Sequence, residues 1–83
     1  MEKPIVYSTP TCPWCNVMKE FLKEKRIEFE EIDVSKDQEK AQEMIEKSGQ
    51  MGVPQLEING KMIVGFNKPL IEQELEKMGN KNG

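Results

Sequence analysis

The spacing of apolar residues changes along the chain, and each change predicts a different element. Pro4 to Tyr7 is a short, continuously apolar run, which is typical of a buried central strand. Thr9-Pro10-Thr11 predicts a turn, and the following Pro13 suits the first position of a helix. A helix is therefore expected from about Pro13 to about Lys25. Its apolar stripe is predicted from Val17, Met18, Phe21 and Leu22.

A second strand is predicted from four apolar residues after this helix. They are Ile27, Phe29, Ile32 and Val34. The alternation of apolar and polar positions slips at Glu30-Glu31, which indicates either a bulge or a shifted strand boundary.

A second helix is predicted after this strand, with Ser35 as a suitable cap. Ala41, Met44 and Ile45 form its apolar stripe, and Ser48-Gly49 ends it. Residues 50–54 then form a loop.

The second half of the chain carries a hairpin signal. Leu56 and Ile58 alternate with polar residues, and Met62-Ile63-Val64 forms a further apolar run. Asn59-Gly60 lies between these runs, and this dipeptide between strands is a strong signal for a hairpin.

A third helix is predicted after a loop over residues 65–69. Ile71, Leu75 and Met78 supply its apolar stripe, and residues 79–83 form a polar tail that we expect to be flexible. The resulting order is β-α-β-α-β-β-α. Because a βαβ unit requires parallel strands and a hairpin requires antiparallel ones, the predicted fold class is α/β. We expect a mixed four-stranded sheet with helices on both faces.

Composition narrows the classes of protein. A chain of 83 residues predicts one domain over residues 1–83, and its net charge of −3 argues against binding to nucleic acid. No apolar run reaches the length of a membrane span, and Ile5-Val6-Tyr7 is too short for the core of a signal peptide, so we expect a cytoplasmic protein with no membrane partner. The sequence has no histidine, which excludes imidazole-assisted hydrolysis and histidine-ligated metal sites.

Both cysteines lie in one segment, Cys12-Pro13-Trp14-Cys15. Two buried, inert cysteines fit Pro13 and the predicted exposed turn poorly, and three further explanations stay open. A structural disulfide stabilises a fold by restricting the unfolded chain, and in so short a loop this stabilisation is only about 2 kcal/mol. The cytosol also keeps such bonds reduced. Zinc or an iron–sulfur cluster usually requires four thiolate or imidazole ligands, so a second chain or an added thiol would have to complete the site. The third explanation is a redox pair.

The predicted helix favours the redox pair. Cys12 falls at the N-cap and Cys15 at the third helical residue. An N-cap side chain accepts hydrogen bonds from N–H groups two or three residues ahead, and the positive end of the helix dipole faces it. Both effects stabilise a thiolate at Cys12, which is the nucleophile of disulfide exchange. Cys15, one turn further, is placed to attack the mixed disulfide and release the product.

Segments across nearly the whole chain resemble the glutaredoxin family of the thioredoxin superfamily. They are Val6-Tyr7-Ser8 before Cys12-Pro13-Trp14-Cys15, then Glu31-Ile32-Asp33-Val34, Gly52-Val53-Pro54-Gln55 and Val64-Gly65-Phe66-Asn67. The resemblance implies the thioredoxin/glutaredoxin fold, with Cys12 and Cys15 as the catalytic pair. It also implies a cis peptide bond before Pro54, where the backbone of Val53 pairs with an extended substrate. The substrate-binding residues it implies are Tyr7, Trp14, Val53, Pro54, Gly65, Phe66 and Asn67.

The chain departs from glutathione-dependent members of the family at two places. Those members usually carry a lysine three residues before the first cysteine, where this chain has Thr9. They also carry Gly-Gly-x-Asp-Asp at the last helix, where this chain has Gly65-Phe66-Asn67-Lys68-Pro69. The Gly-Phe pair instead resembles redoxins that serve ribonucleotide reductase and receive electrons from a thioredoxin-reductase flavoprotein. An alternative is that these five residues only cap a helix and that Trp14 is only an exposed helical residue.

We therefore expect a monomeric thiol–disulfide oxidoreductase that reduces protein or small-molecule disulfides, with no metal and no tightly bound cofactor. A flavoprotein of the thioredoxin-reductase type is favoured as electron donor. Glutathione or another low-molecular-weight thiol stays a candidate co-substrate. The alternative function is a cluster-binding module, in which two chains hold [2Fe–2S] through Cys12 and external thiols, and a brown colour would identify it.

Overall fold

The computed structural model describes residues 3–79. Its elements are β1 (Ile5–Ser8), α1 (Pro13–Glu24), β2 (Glu30–Asp33), α2 (Gln38–Ser48), β3 (Gln55–Ile58), β4 (Lys61–Val64) and α3 (Lys68–Gly79). The predicted order of elements is confirmed. Of the tail predicted over residues 79–83, only Gly79 lies within the described residues, and it is the last residue of α3.

The four strands form one mixed sheet in the order β2-β1-β3-β4. The β1 strand is parallel to β2 and antiparallel to β3, and β3 is antiparallel to β4. The apolar run at β1 therefore lies in the middle of the sheet, as predicted. Its backbone N–H and C=O groups form hydrogen bonds with β2 on one side and β3 on the other.

The two faces of the sheet are covered by different helices. Val6 and Leu56 are cross-strand partners on one face, where they pack with α1 and α3 in a cluster of Val6, Met18, Phe21, Leu22, Leu56, Ile58, Ile63 and Ile71. Tyr7 and Glu57 point to the other face, where Lys47 of α2 forms an ion pair with Glu57 at 2.9 Å. Truncating a fully buried member such as Leu22 to alanine should cost about 2–5 kcal/mol of stability.

The predicted stripe of α1 is wrong at one position. Val17 is 40% exposed, whereas Cys15 is fully buried and lies on the inner face with Met18 and Leu22. The spacing of 15, 18 and 22 fits a helix as well as the predicted stripe does, so periodicity alone did not distinguish the two faces.

At β2 the structure decides between the two explanations of the slip in alternation, and at α2 the predicted cap needs correction. The β2 strand pairs with β1 without interruption from Glu30 to Asp33, so the slip marks the boundary of the strand, as one explanation predicted, and not a bulge. Asp37, not Ser35, caps α2, because its carboxylate accepts from the N–H of Lys40 at 3.1 Å. Ser35 is instead used in the preceding turn, where its N–H donates to Asp33.

The hairpin is confirmed at the predicted dipeptide. Asn59 has φ 54° and Gly60 has φ 77°, so both residues adopt the left-handed conformation that a tight two-residue hairpin turn requires. The loop before α3 is shorter than predicted, because the helix already begins at Lys68.

A buried carboxylate attaches α3 to this hairpin. Glu74 is nearly buried and accepts from the amide of Asn59 at 2.9 Å and from Lys61 and Lys77 at 3.3 Å each. The hydrogen bond from Asn59 is the main reason that the pKa of Glu74 falls from 4.5 to about 2. Hydrogen bonds to a charged group are among the stronger contributions to stability.

We expect Glu74→Gln to lower Tm by several degrees at pH 7, since 1 kcal/mol corresponds to about 4–8 °C in a domain of this size. Because the folded-state pKa is depressed, the stabilisation is present above about pH 4.5 and is lost as the pH falls towards 2. The difference in Tm from the wild type should therefore shrink over that range. The exposed Glu76→Gln is the control, and a pH-independent difference for Glu74→Gln would contradict this account.

Candidate active site

Cys12 occupies the N-cap of α1, as predicted. Its φ of −98° and ψ of 108° are extended, and its Sγ accepts from the N–H of Cys15 at 3.1 Å. The preceding turn is closed by the N–H of Cys12, which donates to the carbonyl of Thr9 at 3.3 Å. The side chain of Cys12 is half-buried and both thiols are free, so an incoming disulfide can reach this sulfur.

Cys15 lies below Cys12 and is fully buried. Burial in the apolar interior, followed by the hydrogen bond with Cys12, raises the pKa of the Cys15 thiol from 9.0 to about 12. A hydrogen bond with the backbone of Thr9 and, to a smaller extent, the positive charge of Lys19 oppose this rise in the pKa of Cys15. The two cysteines thus differ in access, and Cys15 is held protonated in the reduced protein.

We expect iodoacetamide to modify Cys12 first near neutral pH, because Cys15 is buried and its pKa is about 12. In Cys12→Ser, labelling of Cys15 should stay slow because its sulfur is fully buried, and it should rise with pH, since the thiolate is the reactive species. Mass spectrometry of peptides gives both rates. Denatured protein, in which both thiols should react alike, is the control, and faster labelling of Cys15 in the native wild type would reverse the assignment.

The segment around Pro54 lies against Cys12. The Val53–Pro54 peptide bond is cis, as the resemblance implies. The Cys12 thiol points at the carbonyl of Val53, with 3.8 Å between sulfur and oxygen. The same segment also contacts the loop before α3, because the carbonyl of Pro54 accepts from the N–H of Gly65 at 2.8 Å. The fold therefore brings two loops together beside the sulfur.

An open groove of about 250 Å³ lies between these loops. It is lined by Trp14, Val53, Pro54, Gly65 and Phe66, which are five of the seven predicted substrate-binding residues. Trp14 is 60% exposed and stacks on Phe66 with 6.2 Å between ring centroids.

The aromatic rim of the groove is anchored in the core. Phe66 makes an edge contact with Phe21, with 5.6 Å between ring centroids, and Phe21 belongs to the main cluster. Sequence periodicity identified Phe21 only as a core residue. Its contact with Phe66 shows that it also supports the groove.

Asn67 does not line the groove. Its side-chain oxygen accepts from the N–H of Leu70 at 3.4 Å, and its carbonyl accepts from the N–H of Ile71 at 3.0 Å. Asn67 therefore caps α3. At this one position the structure agrees with the alternative that residues 65–69 only cap a helix.

Tyr7 is also absent from the groove, and the prediction that it binds substrate is wrong for its side chain. Tyr7 is 1% exposed and its hydroxyl donates to Glu57 at 3.0 Å on the α2 face of the sheet. Burial, with the hydrogen bond to Glu57, raises the pKa of this phenol. A side chain enclosed in this way supports the sheet and cannot contact a bound disulfide.

A small polar network lies on the α1 face of the sheet. Lys19 forms an ion pair with Glu31 at 2.7 Å, and the buried hydroxyl of Ser8 donates to the same carboxylate oxygen at 3.1 Å. The hydrogen bond from Lys19 is the main cause of the lowered pKa of Glu31. This network connects α1 to β2 next to the turn that leads to Cys12.

Residues 3–79 contain no group of three acidic or cysteine side chains close enough to bind a metal ion. Over the same range, none of the helices has the length and apolar character that crossing a membrane requires.

Comparison with known proteins agrees with this geometry. The sequence profile of the glutaredoxin family matches residues 5–63. The chain is 50% identical over 72 residues to a glutaredoxin-like 8.6 kDa protein of the rubredoxin operon of Clostridium pasteurianum, covering 87% of this chain and 96% of that protein. It is also 37% identical to glutaredoxin 3 of Escherichia coli K12 over 72% of each chain.

The crystal structure of a glutaredoxin from Archaeoglobus fulgidus superimposes with a TM-score of 0.82 at 26% identity, covering 90% of this chain and 87% of that one. The profile match includes β1, both cysteines, the Val53–Pro54 segment and all but the last residue of the hairpin. The chain therefore belongs to the glutaredoxin family of redox proteins.

Proposed function

We propose that the protein is a dithiol–disulfide oxidoreductase that reduces disulfides of other proteins in the cytoplasm. The observation that carries this proposal is the asymmetry of the two thiols. Cys12 is accessible, capped by the N–H of Cys15 and next to a groove, whereas Cys15 is buried behind it. Disulfide exchange requires such a pair, one sulfur to attack and one to resolve.

In the first step the Cys12 thiolate attacks one sulfur of the substrate disulfide. A mixed disulfide forms, the substrate S–S bond breaks, and one substrate thiolate leaves and takes up a proton. The N–H of Cys15, 3.1 Å from Sγ of Cys12, stabilises the attacking thiolate.

In the second step Cys15 attacks the sulfur of Cys12. The hydrogen bond and charge of Cys12, which both raise the pKa of Cys15 in the reduced protein, are gone once Cys12 is bonded to substrate. The pKa of Cys15 then falls towards its ordinary value, although burial still opposes the thiolate. The Cys12–Cys15 disulfide forms as the bond between Cys12 and the substrate breaks. The second substrate thiolate leaves and takes up a proton in place of the one that Cys15 lost, and two electrons have passed to the substrate.

The groove fits an extended peptide better than an enclosed small ligand. Its volume of about 250 Å³ is below the roughly 300–1,000 Å³ of most ligand pockets. The backbone of Val53 can pair with such a peptide as an added strand, and the stacked rings of Trp14 and Phe66 offer an apolar wall to its side chains.

We further propose that a flavoprotein of the thioredoxin-reductase type, and not glutathione, re-reduces the protein, and that the protein acts as a monomer without a resident cofactor. The features supporting this choice of donor lie at the start of α3. Pro69 has no N–H, and the N–H of Leu70 already donates to the side chain of Asn67. Few free donors are left there for the carboxylates of glutathione.

The test of the basic function is a single-turnover reaction of the reduced protein with a peptide disulfide. Two protein thiols should be lost for each disulfide reduced, and mass spectrometry should find a Cys12–Cys15 bond. Colourless protein during this reaction is expected, whereas visible absorption by a two-chain species would favour the cluster-binding alternative. Formation of no mixed disulfide and no Cys12–Cys15 bond would refute the proposal.

A further inference from the structure

Gln55 is a polar side chain buried in the middle of the sheet, with 0% of it exposed. Its backbone is held in register with Tyr7 of β1 and Val64 of β4, so it forms a rigid base. From this base the Nε2 group donates two hydrogen bonds into the preceding loop. It donates to the carbonyl of Gln50 at 3.1 Å and to the carbonyl of Gly52 at 2.8 Å.

These two carbonyls determine how the Gln55 amide is oriented. In the opposite orientation its oxygen would face two other oxygens, and neither bond would form. In the observed orientation the buried Oε1 has no hydrogen-bond partner among residues 3–79. A buried unpaired acceptor is destabilising, and the cross-strand partner of Gln55 on the same face, Tyr7, shows that a large, mostly apolar side chain packs there with 1% exposure. A contribution to stability alone therefore does not explain a glutamine at this position.

The segment that Gln55 holds, residues 50–53, ends directly beside Cys12, since the carbonyl of Val53 is 3.8 Å from its sulfur. At the start of the segment, the N–H of Gln50 donates to the hydroxyl of Ser48 at 3.1 Å. The side-chain amide of Gln55 binds the carbonyls of Gln50 and Gly52 within the segment. We propose that Gln55 is a positioning residue, whose two hydrogen bonds hold residues 50–53 so that the backbone of Val53 can pair with a peptide disulfide. This inference rests on the proposed disulfide reduction, because it assigns the residue that sets substrate capture.

The test is Gln55→Met, which keeps the length of the side chain but removes the two N–H donors and the unpaired oxygen. The freed carbonyls belong to Gln50 and Gly52, which are exposed and can bind water, so Tm should be close to that of the wild type. We expect kcat/KM for a peptide disulfide to fall roughly tenfold through a higher KM, the size that about one net hydrogen bond carries. The value of kcat and the alkylation rate of Cys12 should not change.

Two further measurements separate positioning from a general structural effect. Hydrogen exchange should become faster at residues 50–53 in Gln55→Met, while the amides of β1 and β3 stay protected. Gln55→Glu keeps the shape but offers only acceptors when ionised, so it should show the same rise in KM. Gln42→Met makes the same substitution on the exposed surface of α2 and should match the wild type.

An unchanged KM in Gln55→Met would overturn the role of Gln55. So would a loss of activity that appears in kcat and is accompanied by a lower Tm. Failure of the wild type to reduce the peptide, with normal alkylation of Cys12, would instead refute the proposed function. The exchange rates at residues 50–53 would then still decide whether Gln55 holds the segment.

Discussion

Cys12→Ser should abolish disulfide reduction, whereas Cys15→Ser should stop the reaction at a long-lived mixed disulfide. The reason is the position of the two sulfurs. Only Cys12 is accessible from the groove, and only Cys15, whose N–H lies 3.1 Å from Sγ of Cys12, is placed to resolve the adduct. The Cys12→Ser variant loses the attacking nucleophile, so its rate should fall to that of the reaction without protein.

The measurement is mass spectrometry after mixing each reduced variant with excess peptide disulfide. Cys15→Ser should carry one peptide on Cys12 that only an added thiol removes. Because Cys15 is fully buried, circular dichroism of both variants must first show a folded protein. Thr11→Ser, at an exposed neighbouring position, is the control. Turnover by Cys12→Ser, or an adduct on Cys15 in that variant, would exclude the proposed roles.

Glutathione should be a poor electron donor for this protein, and replacing Lys68-Pro69 by Asp-Asp should raise the glutathione-coupled rate. A carboxylate of glutathione needs fixed donors, and the first turn of α3 lacks one at Pro69 and uses another to bind Asn67. One missing charge-assisted hydrogen bond costs roughly 1.5–3 kcal/mol, or about 10–100-fold in affinity.

Lys68 does not offset this loss. Its Nζ lies 5.8 Å from the centre of the Phe21 ring, in a second groove between α1 and α3. Even a direct exposed pair between a lysine and a carboxylate contributes only about 0–1 kcal/mol. The charge of Lys68 is therefore a weak substitute for backbone donors in the first turn of α3.

The assay compares NADPH consumption with glutathione and glutathione reductase against a thioredoxin-reductase flavoprotein, using the same peptide disulfide. Pro69→Ala is the matched variant, because it restores one N–H without adding charge, and it should raise the glutathione rate less than Asp-Asp does. Glutathione turnover by the wild type at the rate of a glutathione-dependent glutaredoxin would show that our account of this loop is wrong.

Local chemistry in the sequence was enough to predict the order of the elements and the position of Cys12 at the start of α1. The cap at Cys12 depends on residues within one helical turn, and the hairpin at Asn59-Gly60 depends on two backbone conformations. Such features involve neighbours in the chain, so propensity and spacing describe them well. The β-α-β-α-β-β-α order and the mixed sheet followed from the same short-range signals.

Other features depend on which face of a strand or helix packs against the rest of the protein. The spacing of apolar residues could not predict that face. Tyr7 belongs to an apolar run whose residues alternate between the two faces of the sheet. Its hydroxyl meets Glu57, 50 residues away, only because β1 pairs with β3. Similarly, Val17 and Cys15 both fit a helical stripe, and the packing of α1 on the sheet buried the cysteine and exposed the valine.

The groove itself is a product of long-range packing. The carbonyl of Val53 lies 3.8 Å from the sulfur of Cys12 although 41 residues separate them, and Gln55 reaches its loop only from a fixed position in the sheet. Sequence identified the cysteines, Val53 and Phe66 as chemistry-bearing residues. Their distances, and the burial that distinguishes Cys15 from Cys12, were decided by the arrangement of α1 and α3 on a shared sheet. Sheet register and helix packing act between residues that no local pattern connects.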